Sequence, residues 1–364
     1  MCKVSDLLDF YSTNSLSWDK LEYGTDAIQN LHYGLIHVGL PTMVNLSKDK
    51  LPNIVSGNTP KNYVLCQEGD IAFADASEDT NEVAKAIEFY NLNGKDVICG
   101  LHTIHGRDNQ QKTVVGYKGY AFSSTAFHHQ IRRIAQGTKI YSINSKNFSE
   151  CHIGIPSKEE QKKIATLLRL IDERIATQTK IIDKLQSLIK GIGKQLFMDN
   201  QNWRTVKIGE LLRIGNGKDY KHLSIGKIPV YGTGGQMLLV NDYLYDGESV
   251  CIGRKGTIDT PMFLKGKFWT VDTLFYTYDF KDVLPKFCYY LFLQINWKLY
   301  NEGTGVPSLS KSTIENIKVK IPSLEQQQKI CSILDCYEHK TNNEEQILEL
   351  YHSEKQYLLR QMFI

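Results

Sequence analysis

A long segment of this chain occurs twice. Residues 137–198 align with residues 303–364 at a constant offset of 166 positions and without a gap. The stretch IPSKEEQKKIATLL at 155–168 returns as IPSLEQQQKICSIL at 321–334. A match of this length without insertion or deletion indicates a duplicated element of fixed length. The chain is therefore expected to consist of two related halves.

Each copy begins with the signature of a helix N-terminus. Ser157 stands three residues before Glu160, and Ser323 stands three residues before Gln326, which is the spacing of a capping box. Apolar residues then recur at alternating steps of four and three, as in a coiled-coil seam. The predicted seam residues are Ile164, Leu168, Ile171, Ile175, Ile182, Leu185, Ile189, Ile330, Leu334, Leu348, Tyr351 and Leu358.

The two helices are expected to pair with each other in antiparallel orientation. The first helix leads from one globular region to the next, and the second then has only the first to bury its seam against. Residues 155–201 carry a net charge of +3 and residues 321–364 a net charge of −3, which favours pairing. Gln178 and Glu344 interrupt the two seams at equivalent positions, as residues that fix register do.

The remaining chain forms two regions without heptads. Both are rich in tyrosine, glycine and short β-type runs such as 63–65, 249–252 and 268–271. KVSDLL at 3–8 resembles KIGELL at 207–212 with an offset of 204, whereas the repeated helix segments have an offset of 166. The first region is therefore 38 residues longer than the second.

These patterns predict an α+β protein in which an antiparallel two-helix coiled coil separates two globular α/β domains with pseudo-two-fold symmetry. The predicted boundaries are 1–154 for the first domain, 155–200 for the first helix, 201–320 for the second domain and 321–364 for the second helix.

Composition and motifs exclude several classes of protein. The chain is 41% apolar and 23% charged, has no apolar run long enough to span a bilayer, and carries eight scattered cysteines without a CxxC pair. We interpret it as a cytoplasmic protein with reduced thiols. No GxxxxGK[ST] loop, [DNS]PP[YF] tetrapeptide or GxSxG elbow is present, so no catalytic residue and no cofactor of this chain are predicted.

A metal site is weighed at His102 and His105 and set aside. The spacing suits a metal, but no cysteine or carboxylate pattern accompanies the two histidines. A histidine that lies in a loop or faces nucleic acid is the preferred interpretation, and no metal ligand is predicted.

Motif loops supply the candidate DNA-binding residues. Glycines beside Tyr, Thr, Arg and Lys let backbone N–H groups approach an anion, Arg254 and Lys255 suit phosphates, and Arg254 also suits a guanine edge. Glu78 suits the amino group of cytosine. Hairpin turns explain the glycines equally well, and a solvated surface explains Arg254, Lys255 and Lys311; for Glu78 a structural or solvent-facing role is favoured. The full set is Tyr33, His37, Ser77, Glu78, His102, Arg107, Tyr231, Thr233, Gly234, Gly235, Arg254, Lys255, Gly256, Thr257, Thr304, Ser308 and Lys311.

The chain resembles the specificity subunit of type I restriction–modification systems over nearly its whole length. The resemblance is carried by the two IPS-headed helix starts, the helix ends GIGKQLF and LLRQMF, and the motifs KIPVYGTGG, IGRKGTI, KFWTVDTLFY, GTGVPSLSKSTIENI and GDIAFADASED.

The resemblance implies two target-recognition domains that each read one half of a split sequence in double-stranded DNA. It implies that the helices set the spacer and that their seam docks two methylation subunits, which bring S-adenosylmethionine and methylate adenine N6. Restriction subunits that use ATP and Mg²⁺ complete the complex. A stand-alone methyltransferase or nuclease, and a coiled-coil scaffold that does not bind DNA, are the alternatives.

Overall fold

The computed structural model describes residues 1–198 and 202–363, which form two compact units. The first unit comprises Met1–Thr179 and Gln346–Ile364, and the second comprises Lys180–Glu345. Each unit therefore contains a globular domain and part of each long helix. In the part of the chain that is described, no helix offers an apolar stretch long enough to cross a bilayer.

Short strands and helices build the first globular domain. Its strands are β1 Cys2–Lys3, β2 Asp9–Tyr11, β3 Leu21–Glu22, β4 Gln29–Leu31, β5 Met43–Asn45, β6 Asn53–Ile54, β7 Ile71–Ala74, β8 Ala76–Ser77, β9 Ala86–Asn91, β10 Val97–Cys99, β11 Thr103–Arg107, β12 Tyr141–Ser142 and β13 His152–Ile153. Its helices are α1 Val4–Leu7, α2 Tyr33–His37, α3 Lys118–Phe122, α4 Thr125–Ile134 and α5 Ser145–Ser149, and the long α6 Lys158–Met198 follows.

The second globular domain has longer strands. They are β14 Arg204–Lys207, β15 Arg213–Asn216, β16 Ile225–Gly232, β17 Gly235–Val240, β18 Tyr245–Gly253, β19 Met262–Thr270, β20 Leu274–Tyr278 and β21 Lys318–Ile321. Its helices are α7 Ile208–Leu211, α8 Pro285–Gln294 and α9 Lys311–Asn316, and the long α10 Leu324–Gln361 closes the chain. The β-type runs at 249–252 and 268–271 lie in or at the end of strands, whereas the run at 63–65 forms only an isolated bridge between Leu65 and Ile98.

The main sheets of the two domains share one topology. The first has the strand order β2-β11-β7-β9-β5, and the second has β15-β20-β18-β19-β16-β17. In each sheet the fourth and fifth strands pair parallel and the preceding pairs are antiparallel. The duplication detected in the helices therefore extends through both sheets. The first domain adds a second sheet, β10-β4-β6-β3, which accounts for much of its greater length.

A two-stranded ribbon joins the start of each globular domain to its end. Lys3 pairs with His152 in β1–β13, and Lys207 pairs with Lys318 in β14–β21, at the offsets seen in the sequence. The Lys3 ammonium donates to Glu150 at 2.8 Å and the Lys207 ammonium donates to Asn316 at 2.9 Å. The matched entry motifs KVSDLL and KIGELL thus occupy the same structural position.

The predicted helix starts are confirmed. The Ser157 hydroxyl accepts from the Glu160 N–H at 3.3 Å, and the Ser323 hydroxyl accepts from the Gln326 N–H at 3.4 Å. The 41 residues of α6 span about 60 Å at 1.5 Å per residue.

The seam residues of both helices are buried or half-buried. Within the first unit the two helices meet where the Lys355 ammonium of α10 contacts the Asp172 carboxylate of α6 at 2.6 Å. Lys355 lies four residues after Tyr351, at a heptad position where the seam would otherwise be apolar. Within the second unit Gln186 of α6 donates to Glu345 of α10 at 3.4 Å. Within the first unit, Leu168 of α6 shares a buried cluster with Leu359 of α10, whereas Asp172, one turn later, contacts Lys355, one turn earlier. The two helices are therefore antiparallel within this unit, as predicted.

Both long helices close the cores of the globular domains. In the first unit Leu168 of α6 and Leu359 of α10 join the buried cluster around Phe73. In the second unit Phe197 of α6 and Leu334 of α10 join the cluster around Phe287. Each core is therefore completed by residues from two distant stretches of the sequence.

Candidate nucleic-acid interface

A cavity of about 670 Å³ gathers most of the candidate residues of the first domain. Tyr33 and His37 lie on α2, Ser77 and Glu78 follow β7, and His102 precedes β11. The register Ala74 to Thr103 places the end of β7 beside the start of β11, and this brings the separate loops together. All four residues of β7 are buried, so the polar residues of this segment lie beyond the end of the strand.

Aromatic rings line one side of this cavity. The Tyr33 ring lies edge-on to His102 at 5.2 Å between centroids and edge-on to His37 at 5.9 Å. His102 has a positive φ of 55° and its Nδ1 lies 3.2 Å from an Asp75 carboxylate oxygen, so a local contact holds an otherwise uncommon backbone conformation. The Nε2–H of His37 donates to the Ala76 carbonyl at 2.9 Å. The ring faces are thereby fixed in position.

Acidic side chains line the other side. Glu78, Asp79 and Glu82 all border the cavity, and Lys85, which donates to Glu82 at 2.7 Å, offsets part of their charge. A negative wall repels phosphates but accepts hydrogen bonds from base amino groups. The chemistry therefore favours contact with base edges over contact with the DNA backbone.

Arg107 lies apart from this group. Its guanidinium donates through Nε and an Nη to the two Asp70 oxygens at 2.8 and 2.7 Å, and also donates to the Leu65 carbonyl. Although burial opposes it, these bonds and one from His105 hold the pKa of Asp70 below its ordinary value. Since the guanidinium is committed to a buried carboxylate, the structure does not bring Arg107 into the predicted DNA-binding set.

Three loops bring together the candidate residues of the second domain. Thr233 and Gly234 form the two-residue turn between β16 and β17, and the loop after β18 begins at Arg254. Lys255 forms an isolated bridge with Ser308, and the Gly256 N–H donates to the Pro307 carbonyl at 2.9 Å. The third loop, which also carries Thr304, is thereby tied to the second.

A glycine is required where the loops meet. Gly256 has a φ of +87°, a conformation that L side chains rarely adopt, and a Cβ there would lie 3.7 Å from the Thr233 hydroxyl. The remaining candidates border this region: Tyr231 and Gly235 on the hairpin, Thr257 beside Gly256, and Lys311 at the start of α9.

The charge of this second cluster is opposite to that of the first. Arg254 and Lys255 are exposed, and the hydrogen bond seen for the Arg254 guanidinium is a 3.5 Å contact to the Asp272 carbonyl. Among residues 1–198 and 202–363, neither Arg254 nor Lys255 forms an ion pair. Their donors are therefore available to an anion or to a guanine edge.

Both clusters lie at the same end of the duplicated sheet. The acidic loop follows β7 and the basic loop follows β18, and these strands hold the same place in the two strand orders. The Ala74–Thr103 pair at the end of β7 matches the Gly253–Leu274 pair at the end of β18. One scaffold therefore presents two chemically different surfaces.

A sequence profile of the type I restriction modification DNA specificity domain matches residues 49–187 and again residues 200–350. The chain belongs to this family. The two matches fall on the two duplicated halves, each with its globular domain and helix. The chain is thus a specificity subunit of a type I restriction–modification system.

Relatives of this specificity subunit include two proteins of Methanocaldococcus jannaschii. The type I restriction enzyme MjaVIII specificity subunit is 25% identical over 296 residues, which cover 65% of this chain and 68% of the relative. The putative MjaX specificity subunit is 24% identical over 330 residues, which cover 77% and 75%. The crystal structure of a type I S subunit from M. genitalium has the same fold, with a TM-score of 0.62, 17% identity and coverage of 100% of this chain and 95% of that one.

Each long helix of this specificity subunit has a buried glutamine near its start, which the sequence analysis did not predict. The Gln161 amide accepts from the Val114 N–H at 2.9 Å and donates to the Lys112 and Pro156 carbonyls. Gln327, 166 residues later, accepts from the Leu284 N–H at 2.8 Å and donates to two corresponding carbonyls. The repetition of glutamine at this offset was the available signal.

The interpretation of the histidines at 102 and 105 as residues that lie in a loop or face nucleic acid is wrong for His105. This side chain is fully buried in β11, because it lies on the inward face of the strand, whereas His102 is exposed. The fold also brings Cys66 and Cys99 beside His105, although they lie 39 and 6 residues away along the chain.

Proposed function

We propose that this specificity subunit recognises DNA through its two globular domains and carries out no chemistry of its own. Each domain reads one half of a split target in double-stranded DNA. The observation that carries the proposal is the duplicated sheet, which presents two unlike loop clusters at the same strand end. A pair of equivalent frames with different loops suits an asymmetric bipartite target.

The two domains are proposed to read DNA in different ways. The acidic, aromatic cavity near Tyr33 and Glu78 suits exocyclic amino groups of bases. The basic loops near Arg254 and Lys255 suit phosphates and the O6 and N7 acceptors of guanine. The half-site of the second domain is therefore expected to contain a guanine that is essential for binding.

The long helices are proposed to set the spacer and to dock two methylation subunits. The seam residues are buried within this chain, so docking falls to apolar residues that the helices leave exposed. Those with more than a third of their surface exposed include Leu167, Leu170, Ile181, Leu188, Met198, Leu324, Ile333, Ile347, Leu350 and Tyr357. S-adenosylmethionine, ATP and Mg²⁺ are assigned to the methylation and restriction subunits.

Methylation sequencing tests the proposal. The full chain is co-expressed with its methylation subunits in a methylation-free host, and the modified adenines are mapped by single-molecule sequencing. A split motif with a constant spacer is expected. A continuous motif would contradict two-domain reading, absence of any motif would favour a scaffold, and methyl transfer by the purified chain alone would favour an enzyme.

A pair of arginine variants sharpens the test. Arg254→Ala is expected to weaken binding by about 1–3 kcal/mol and to relax one position of one half-site only. Arg213→Ala is the matched control, because Arg213 pairs with Tyr278 at the opposite end of the same sheet. Lys255→Met is expected to weaken binding to all sequences and to reduce the salt dependence by about one counterion. Equal effects of Arg254→Ala and Arg213→Ala would contradict the assignment of the basic loops.

A further inference from the structure

Two cysteines and a histidine meet in the interior of the first domain. The Cys66 and Cys99 sulfurs lie 3.6 Å apart, and each is within 4.8 Å of a ring nitrogen of His105. None of the three residues is more than 5% exposed. Together they offer two sulfur ligands and one imidazole, which is a ligand set typical of zinc.

The hydrogen bonds of His105 leave one ring nitrogen free. Its Nε2 lies 2.7 Å from an Asp70 oxygen, so Nε2–H donates to the carboxylate and Nδ1 carries the lone pair. Nδ1 is buried and, among the residues that the structure describes, has no hydrogen-bond partner. A histidine held by a carboxylate on one nitrogen with the other nitrogen free is the usual arrangement of a metal-binding imidazole.

Asp70 is itself fixed in place. It is 1% exposed, accepts two hydrogen bonds from Arg107, and accepts another from the Gln67 N–H at 2.9 Å. The carboxylate therefore holds the imidazole in one orientation without being consumed as a ligand. An unpaired buried nitrogen on a ring that lies beside two thiols requires a physical explanation, because buried polar atoms in proteins are usually paired.

We propose that Cys66, Cys99 and His105 bind a zinc ion, with a water molecule as the fourth ligand. Around a tetrahedral ion with Zn–S bonds of about 2.3 Å, two sulfurs lie about 3.8 Å apart, close to the separation in this structure. On binding, both thiols lose their protons to solvent, and the two thiolates neutralise the charge of Zn²⁺. No oxidation or reduction is involved.

The zinc ion joins the added sheet of the first domain to the main sheet. Cys99 ends β10 of the added sheet, Cys66 is bonded through its N–H to Val97 of β10, and His105 lies in β11 of the main sheet. The second domain lacks the added sheet, and Tyr276 occupies the strand position equivalent to His105. The proposed zinc site therefore occurs in the domain that has an added sheet, and the ion would attach this sheet to the main sheet.

Metal analysis of the purified full chain tests the site. Protein produced in zinc-supplemented medium and freed of loosely bound metal is expected to contain about one zinc per chain, with a loss of at least fivefold in Cys66→Ser and Cys99→Ser. Cys251→Ser, which removes a fully buried thiol from the second domain, is the matched control and is expected to retain the zinc.

A spectroscopic measurement on the unaltered chain keeps the test decisive if a variant fails to fold. Cobalt(II) in place of zinc is expected to give a thiolate charge-transfer band and the intense visible bands of a tetrahedral ion. Folded protein that contains no bound zinc and shows no cobalt absorption bands would overturn the proposal. So would a disulfide between Cys66 and Cys99 found by mass spectrometry in protein purified under reducing conditions.

Discussion

The hydroxyl of Tyr120 donates to the carboxylate of Asp172 at 2.8 Å and ties the first globular domain to the long helix. Tyr290 makes the corresponding contact in the second unit, where its hydroxyl oxygen lies 2.6 Å from an Asp335 oxygen and 3.0 Å from a Glu338 oxygen, so its one proton is shared between them. Asp172 and Glu338 are separated by the 166 residues of the repeat. Burial, with the adjacent carboxylate, raises the pKa of both phenols, so they remain donors throughout the accessible pH range.

Removal of the Tyr120 hydroxyl should show how much its contact with Asp172 contributes to the free energy of unfolding. Tyr120→Phe deletes a hydrogen bond to a charged acceptor and is expected to lower the free energy of unfolding by about 1.5 kcal/mol. Thermal and urea denaturation of the full chain provide the measurement. Tyr23→Phe, at a tyrosine that is 56% exposed, is the control and should change stability by less than about 0.5 kcal/mol. Equal effects would show that the contact to Asp172 contributes nothing.

Loss of a buried glutamine should lower the free energy of unfolding more than loss of a phenol does. Gln327→Ala leaves the Leu284 N–H and two carbonyls without partners in the interior and is expected to cost about 3 kcal/mol. The neighbouring Gln328 has an exposed side chain, so Gln328→Ala is a matched control on the same helix turn. Chemical denaturation distinguishes the two variants. A Gln327 variant as stable as the Gln328 variant would contradict the role of the amide in holding the helix start.

A lengthened helix pair should lengthen the DNA spacer. Seven residues inserted after Thr179 in α6, together with seven after Glu345 in α10, preserve the heptad and add about 10 Å. At about 3.4 Å per base pair this corresponds to about three additional base pairs between the half-sites. Methylation sequencing should find both half-sites unchanged. An altered half-site, or an unchanged spacer, would contradict the helices as the ruler.

A buried ion pair should give the first domain a distinct pH dependence. Burial raises the pKa of Glu88 above its ordinary value of 4.5, despite Lys118 at 3.3 Å and two backbone N–H donors. Because the folded pKa lies above the unfolded one, the native state binds more protons, and stability from this group rises as pH falls through the raised pKa.

A double variant isolates this contribution. Glu88→Gln with Lys118→Met replaces the pair by neutral groups, which is often neutral or stabilising. Its stability relative to the natural chain should be greatest near pH 8 and should diminish as the pH falls through the raised pKa of Glu88. The difference in melting temperature, followed from pH 8 to pH 5, is the measurement. A difference that does not change with pH would rule out titration of Glu88 as the source.

The sequence predicted the repeated parts well because they obey local rules. Capping serines and heptads depend on neighbours within one helix turn or two, so Ser157, Ser323 and the seam could be found by spacing alone. The loop motifs also identified residues that the fold brings together, since Tyr33, Ser77 and His102 line one cavity.

Contacts between distant strands could not be predicted in this way. The association of Cys66, Cys99 and His105 depends on how β10, β11 and the segment before β7 are arranged in two sheets. Arg107 is among the predicted DNA-binding residues, yet the register of β11 against β7 brings its guanidinium to Asp70. The equivalence of the two sheets could not be predicted either, because their strands share a spatial order but no detectable sequence similarity.

Residues in and just after α10 complete the core of the first domain, so this core depends on a segment that is synthesised after the second domain. The Phe363 ring lies 5.8 Å from Tyr117, and Leu359 packs in the same buried cluster. The core of the first domain therefore cannot close until α10 has been synthesised, although the rest of that domain is made much earlier. A chain on which translation stalls within the second domain is expected to leave the first domain with an open core that is accessible to proteases.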